Sequence, residues 1–286
     1  MNIFKVIKNL ALYITPFLAV ISLEAQTILV SDIDDTIKAS NVRSKVNRLL
    51  YACAVENEIK GMSRLYSQLA SEIPDLEIKY VSSAPEFFMR ENHEYFLEYN
   101  SFPNGELSLR KSFFDSSNDH RISTIEMIIS ETKPQTLILI GDNGESDPEI
   151  YDYIFNKYSQ KMSILQFIRI TYPHETITND QTAFVNPIEI CLKLEESGIG
   201  TCSDSLIDGF YKEITQEEVA QDFGSYYFHP YMDCNGYQWP ELNFDRSELF
   251  ENISNHLEHK CHTQTKSLNQ NLKKQVFYQT KLFDGT

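Results

Sequence analysis

The sequence predicts an α/β protein built on a doubly wound parallel sheet, with a helical C-terminal extension. Short strand-like runs at 27–31, 76–83, 106–110, 136–142 and 162–170 alternate with helical patterns near 44–58, 61–72, 86–99, 121–131 and 148–158. The connections between them are short, as in repeated strand–helix–strand units. Three of the runs end on a polar residue, Asp32, Ser82 or Asp142. In such sheets the ligand lies beyond the carboxyl ends of the strands, so three separate strands aim polar groups at one place.

The chain begins MNIFKVIKNLALYITPFLAVISLEAQ. Lys5 and Lys8 precede an apolar stretch from Leu10 to Leu23, with Ala25 following, which reads as a secretory signal cleaved after Ala25. The stretch is short for a spanning helix and contains Pro16, which speaks against the alternative of an uncleaved anchor. The expected location is periplasmic or secreted, with no transmembrane segment after cleavage.

The first run, TILVS, leads straight into Asp32-Ile33-Asp34-Asp35-Thr36. Carboxylates this close repel, so something positive should sit among them or one should carry a proton. The pattern suits phosphoryl transfer. Asp32 can attack phosphorus and form an aspartyl-phosphate. Asp34 can protonate the leaving oxygen and later take a proton from water. Thr36 can hold the turn. A Mg2+ ion would offset the repulsion and grip a phosphoryl oxygen. An acidic helix-capping turn is the plain alternative. A calcium loop does not fit, because Ile37 stands where Gly is needed and Arg43 where the bidentate Glu belongs.

The second run ends in YVSSAP, where a hydroxyl can donate to a phosphate oxygen; Ser82 is the first choice and Ser83 the reserve. The fourth run ends in IGDNGESDPEIY. Asp142 closes the strand, and Asp147 opens a helix with Pro148 at its first position. Alone this is a Gly-rich turn with an N-cap; with Asp32 and Asp34 upstream, metal binding gains weight.

After residue 172 the character changes. A loop, TYPHETITNDQTAFVNP, is followed by helical segments near 187–197, 208–221 and 245–260 and a polar tail. Four of the five cysteines, Cys191, Cys202, Cys234 and Cys261, lie in this last third, where they allow two pairs and leave Cys53 alone; their use suits an oxidising compartment. A zinc site from His256, His259, Cys261 and His262 lacks a paired-Cys motif and reads better as a solvated helix end. Tyr226, Tyr227, Phe228, Tyr231 and Trp239 suit a core or a lipid-contacting face. A net charge of −16 gives no basic face for nucleic acid and no electrostatic help at anionic lipid.

In order, DxDxT, a strand-end Ser, a basic residue and GDxxxxD resemble the haloacid-dehalogenase-like phosphatases. The likeness is closest to the catalytic domain of the fungal actin-patch phosphatidate phosphatases and their bacterial relatives. It rests on SDIDDTIK (31–38), GMSRLYSQLA (61–70), YVSSAPEFF (80–88), FPNGELSLR (102–110), HRISTIEMII (120–129) and IGDNGESDPEIY (140–151). The resemblance implies Asp32 as nucleophile and Asp34 as general acid and base. It implies Mg2+ held by Asp32, the Asp34 carbonyl and Asp142 with Asp147 in support, and Ser82 on the phosphoryl group. Arg121 stands where the family pattern has Lys, and a planar fork replaces a point charge. The implied domains are a signal peptide at 1–25, a phosphatase catalytic domain at 26–172 and an extension of unassigned role at 173–286. The implied substrate is a phosphomonoester, with membrane phosphatidate as the class suggested. The alternatives are a soluble phosphomonoester, or a non-catalytic binding module of the same fold.

Overall fold

The computed structural model describes residues 26–40, 54–111, 115–171, 177–178 and 180–216. The expected signal segment, most of the helix expected at 44–58, the helix expected at 245–260, Cys53, Cys234, Cys261, His256, His259, His262 and the aromatics from Tyr226 to Trp239 lie outside the described residues.

The strands are β1 (Thr27–Ser31), β2 (Glu77–Pro85), β3 (Glu106–Arg110), β4 (Thr136–Asp142), β5 (Ser163–Arg169) and β6 (Gln181–Phe184). The helices are α1 (Met62–Glu72), α2 (Glu86–Tyr99), α3 (Ser117–Thr132), α4 (Asp147–Tyr158), α5 (Pro187–Glu196) and α6 (Asp204–Gln216). The strands form one parallel sheet in the order β3-β2-β1-β4-β5-β6. The chain winds outward from β1 to β3, then returns to place β4 on the other side of β1. That reversal opens a crevice between the carboxyl ends of β1 and β4. Their register sets Ser31 beside Ile140, so Asp32 and Asp142 leave the sheet next to each other.

Both faces of the sheet are covered, as parallel sheets require. Leu29, Ile138 and Ile140 join a core with Leu65, Phe96, Ile188 and Phe210, from α1, α2, α5 and α6. Ile28, Val30, Leu137 and Leu139 point the other way, onto Ile125 and Ile129 of α3 and Ile150 and Ile154 of α4. This alternation explains why both central strands read as unbroken apolar runs.

Two sequence expectations are corrected. Residues 54–58 are not helical. Glu58 pairs with Lys38 in an antiparallel bridge, and Ala39 N–H donates to the Asn57 carbonyl at 2.8 Å. Backbone pairing to the loop after β1 ties down the end of this stretch and overrides its helical pattern. The boundary at 172 falls inside the sheet, because β6 pairs with β5 and α5 packs into the common core. Gln-Thr-Ala-Phe is too short and too polar to stand out as a strand. α5 is held by Asn186, whose side chain accepts from Ile188 N–H while Glu189 reaches back to the Asn186 backbone. A disulfide joins Cys191 of α5 to Cys202, just ahead of α6. Among the described residues, no helix is long and apolar enough to cross a membrane.

Candidate active site

Asp32 is the first residue beyond β1. Its N–H donates to the Ile140 carbonyl at 2.9 Å, extending the ladder by one residue and fixing where the loop begins. The loop then turns sharply. Asp35 takes a left-handed backbone (φ 60°), which Asp tolerates better than most residues. Arg169 Nη1 donates to its carbonyl at 2.8 Å, and its carboxylate accepts Ser40 N–H at 2.8 Å. The turn brings Thr36 back beneath the acids. Its hydroxyl lies 3.1 Å from Asp32 Oδ2 and 3.3 Å from Asp142 Oδ2. One hydroxyl proton serves one of these carboxylates at a time.

The opposite wall comes from α3 and α4. Arg121, near the start of α3, is buried with both ends of its fork in use. Nη2 donates to Asp32 Oδ1 at 2.7 Å and to Glu145 at 2.9 Å, and Nη1 donates to Asp147 Oδ1 at 2.5 Å. Asp147 Oδ2 accepts the Asp142 N–H at 3.1 Å, and Asp142 Oδ1 accepts Gly144 N–H at 2.5 Å. Gly141 makes this closeness possible, since a Cβ there would sit 2.4 Å from Asp147 Oδ2.

Asp34 is more open than Asp32. Its carboxylate accepts from Ser40 Oγ at 2.5 Å and from Ser82 Oγ at 3.4 Å, and His93 Nε2 of α2 lies 3.5 Å away. Ser83 turns instead to Glu145, donating at 2.8 Å. Asp32, Asp34, Ser82, Arg121, Asp142 and Asp147 therefore meet in one crevice at the carboxyl edge of the sheet. Sequence reasoning passed over Glu145 and His93. Glu145 lay inside a quoted acidic run with nothing local to mark it, and His93 looks like any helix-interior histidine.

The charges do not balance. Burial raises the Asp32 carboxyl well above its usual range; Arg121 pulls it down, while Asp147 and Asp142 push it up. Burial and Asp147 do the same to Asp142. Asp147 is raised to about 6, by burial against the pull of Arg121. Burial opposes charge on Arg121 too, but Asp147, Asp32 and Glu145 outweigh it and raise its pKa further. Asp34 goes the other way. Burial would raise it, but His93, Lys38 and the Ser40 hydrogen bond together lower it.

Of the three buried acids Asp32, Asp142 and Asp147, Arg121 thus pairs directly with only Asp32 and Asp147. Asp32, Asp142 and Asp147 each offer an oxygen, all within 4.8 Å of one another. Such an all-oxygen set suits a hard divalent cation. Both Asp147 oxygens accept N–H donors of their own, whereas Asp32 Oδ2 and Asp142 Oδ2 share the one Thr36 hydroxyl, so Asp32 and Asp142 are the better-placed direct ligands, with Asp147 in support.

The family model described as phosphatidate phosphatase APP1, catalytic domain, matches residues 27–170. The phosphatidate phosphatase APP1 of Saccharomyces cerevisiae is 30% identical over 133 residues, covering 43% of this chain and 22% of that protein. The chain thus spans under a quarter of the length of the curated relative it matches. The crystal structure of a class C acid phosphatase from Bacillus anthracis with tungstate bound overlaps 63% of this chain and 74% of that one, at 14% identity and a TM-score of 0.35. A likeness that low bears on neither fold nor activity.

Proposed function

The chain belongs to the phosphatidate phosphatase APP1 catalytic-domain family, and from that premise we propose that it hydrolyses phosphomonoesters, phosphatidate among them, through a covalent phosphate on Asp32. The observation that carries this reading is the placement of Asp32. Its carboxylate is anchored by Arg121 at 2.7 Å and Thr36 at 3.1 Å, beside the more open Asp34 and Ser82.

In the first step an Asp32 oxygen attacks phosphorus, and the bond from phosphorus to the ester oxygen breaks. Asp34 gives that oxygen its proton. At rest Asp34 is held as a carboxylate. A negatively charged phosphoryl group beside it favours the protonated form, so the proton arrives with the substrate. In the second step Asp34 takes a proton from water, the water oxygen attacks phosphorus, and the Asp32–phosphate bond breaks to release inorganic phosphate. Ser82 donates to a phosphoryl oxygen. Arg121 orients Asp32 and pulls its pKa down against the burial that raises it. A Mg2+ ion held by Asp32 and Asp142 would supply the missing positive charge and polarise a phosphoryl oxygen.

The test is phosphate release from phosphatidate in mixed micelles and from soluble phosphomonoesters, with Mg2+ and with EDTA. Mg2+-dependent release from phosphatidate is expected. Release that ignores EDTA, or that survives Asp32→Asn, would overturn the mechanism. We also propose export. It is supported by the Lys5–Ala25 pattern and by the Cys191–Cys202 disulfide, which suits an oxidising compartment. N-terminal sequencing of protein from its host should begin at Gln26; a retained Met1 on cytoplasmic protein would contradict it.

A further inference from the structure

Helix α2 carries large aromatics on its surface. Phe87 is 87% exposed, Phe88 58%, Tyr95 56% and Tyr99 51%. At about 3.6 residues per turn, Phe88, Tyr95 and Tyr99 fall within roughly 40° of one another around the helix axis, as a single stripe. The rings of Phe87 and Phe88 meet edge to face at 4.9 Å, and those of Tyr95 and Tyr99 lie 6.1 Å apart. Two exposed aromatic pairs carried on one helix mark a contact surface rather than ordinary scatter.

Its position ties it to the site. α2 starts at Glu86, directly after β2, with no intervening loop. Phe87 is five residues past Ser82, and five residues span at most about 18 Å. The aromatic start of α2 therefore lies within about 18 Å of Ser82 in the crevice, and His93 on the buried side of the same helix faces Asp34 at 3.5 Å.

We propose that this stripe docks the protein on a phospholipid bilayer of zwitterionic headgroups, so that the crevice opens onto phosphate carried in that surface. The inference rests on the phosphatidate reading above. Charge selects the occupant. Glu86, Glu91, Glu94 and Glu98 share α2 with a single arginine, Arg90, which is paired to Glu86 at 2.8 Å and Glu94 at 3.1 Å. A second copy packed by two-fold symmetry would bring these same carboxylates face to face. A strongly anionic membrane would repel both the helix and a chain of net charge −16. A zwitterionic matrix imposes neither penalty, and Phe and Tyr rings settle at headgroup depth, with the tyrosine hydroxyls left in water. Phosphatidate would then be a minor anionic component met one molecule at a time.

The test uses the full chain and vesicles of phosphatidylcholine, with and without a small fraction of phosphatidate. The variant is Phe88→Ser with Tyr95→Ser, both surface changes that leave the fold intact. Sedimentation with vesicles is expected for the native chain and should fall by about tenfold in the variant, since binding scales with inserted apolar area. Hydrolysis of vesicle phosphatidate should fall alongside, while hydrolysis of p-nitrophenyl phosphate holds. Equal sedimentation of both proteins, or none by the native chain, overturns the docking surface. Concentration-dependent self-association that the variant abolishes also overturns it, in favour of a second copy. The phosphatidate reading fails separately. Stripe-dependent sedimentation without phosphatidate hydrolysis in any form would leave docking standing and remove the substrate. Hydrolysis of vesicle phosphatidate unchanged in the variant would do the reverse.

Discussion

Arg121 and Asp32 are 89 residues apart in the chain and 2.7 Å apart in the fold, each shut away from solvent. The same guanidinium also holds Asp147 and Glu145, so one side chain joins α3, the end of β1 and the β4–α4 turn. A single ammonium has no planar fork with which to span three carboxylates.

Arg121→Met should therefore be severe. It leaves buried acids without their cation, a change that costs about 3–5 kcal/mol when a buried pair is broken. Arg121→Lys should be milder, losing about 1.5–3 kcal/mol for a forfeited charged hydrogen bond. Denaturant unfolding of both variants decides this; a lysine variant as stable as the native chain would show that the fork is not needed.

Asp34 and Asp32 should separate chemically. Asp34→Asn keeps the shape but cannot move the proton, so turnover should drop by about 10²–10⁴-fold while phosphate binding persists. Asp32→Asn should give no covalent phosphoenzyme at all, because an amide is a poor nucleophile. Acid-quench trapping of labelled phosphoenzyme distinguishes the two, and a labelled Asp32→Asn protein would refute the assignment.

Gly141→Ala tests the closeness of β4 to Asp147. The new methyl would meet the Asp147 carboxylate at 2.4 Å. Overpacking of this kind costs about 1–3 kcal/mol. Because the displaced group is Asp147, the Mg2+ concentration needed for half-activation should also rise. Unchanged metal dependence in a destabilised variant would limit the effect to packing.

Asp147 also sets a pH dependence. Its folded value of about 6 lies above the ordinary 3.8. The folded state holds that proton more tightly than the unfolded chain does, so this contribution stabilises below about pH 4 and is lost as pH rises towards 6. A bound divalent cation would offset the carboxylate charge that appears over that window. The rise in melting temperature on adding Mg2+ should therefore be larger at pH 7.5 than at pH 5. An equal rise at both would place the ion elsewhere.

The Cys191–Cys202 disulfide closes a short loop between α5 and α6, with an 11-residue separation. Such cross-links contribute typically about 2–4 kcal/mol. Thermal unfolding with and without reductant should show a lower melting temperature when reduced. The crevice lies at the β1 and β4 ends rather than at this bond, so phosphate release at low temperature should persist.

The sequence by itself determined the layered plan and the acidic residues of the site. Apolar runs at 27–31 and 136–142 coincide with β1 and β4 because a strand buried on both faces must be apolar almost throughout, which is a local property. The charge that ends such a run is equally local, so Asp32 and Asp142 were legible as strand-end ligands. Tertiary structure alone decided what meets those acids. That Arg121 spans Asp32, Asp147 and Glu145, that Ser82 turns to Asp34 while Ser83 turns to Glu145, and that His93 backs Asp34 all depend on pairs far apart in the chain. No periodicity encodes such pairs. The same holds for β6 and for residues 54–58, whose backbone hydrogen bonds go to partners outside their own segments. A segment's sequence records its preferred conformation, whereas its partners are set by where the winding of the sheet brings other strands and helices alongside it.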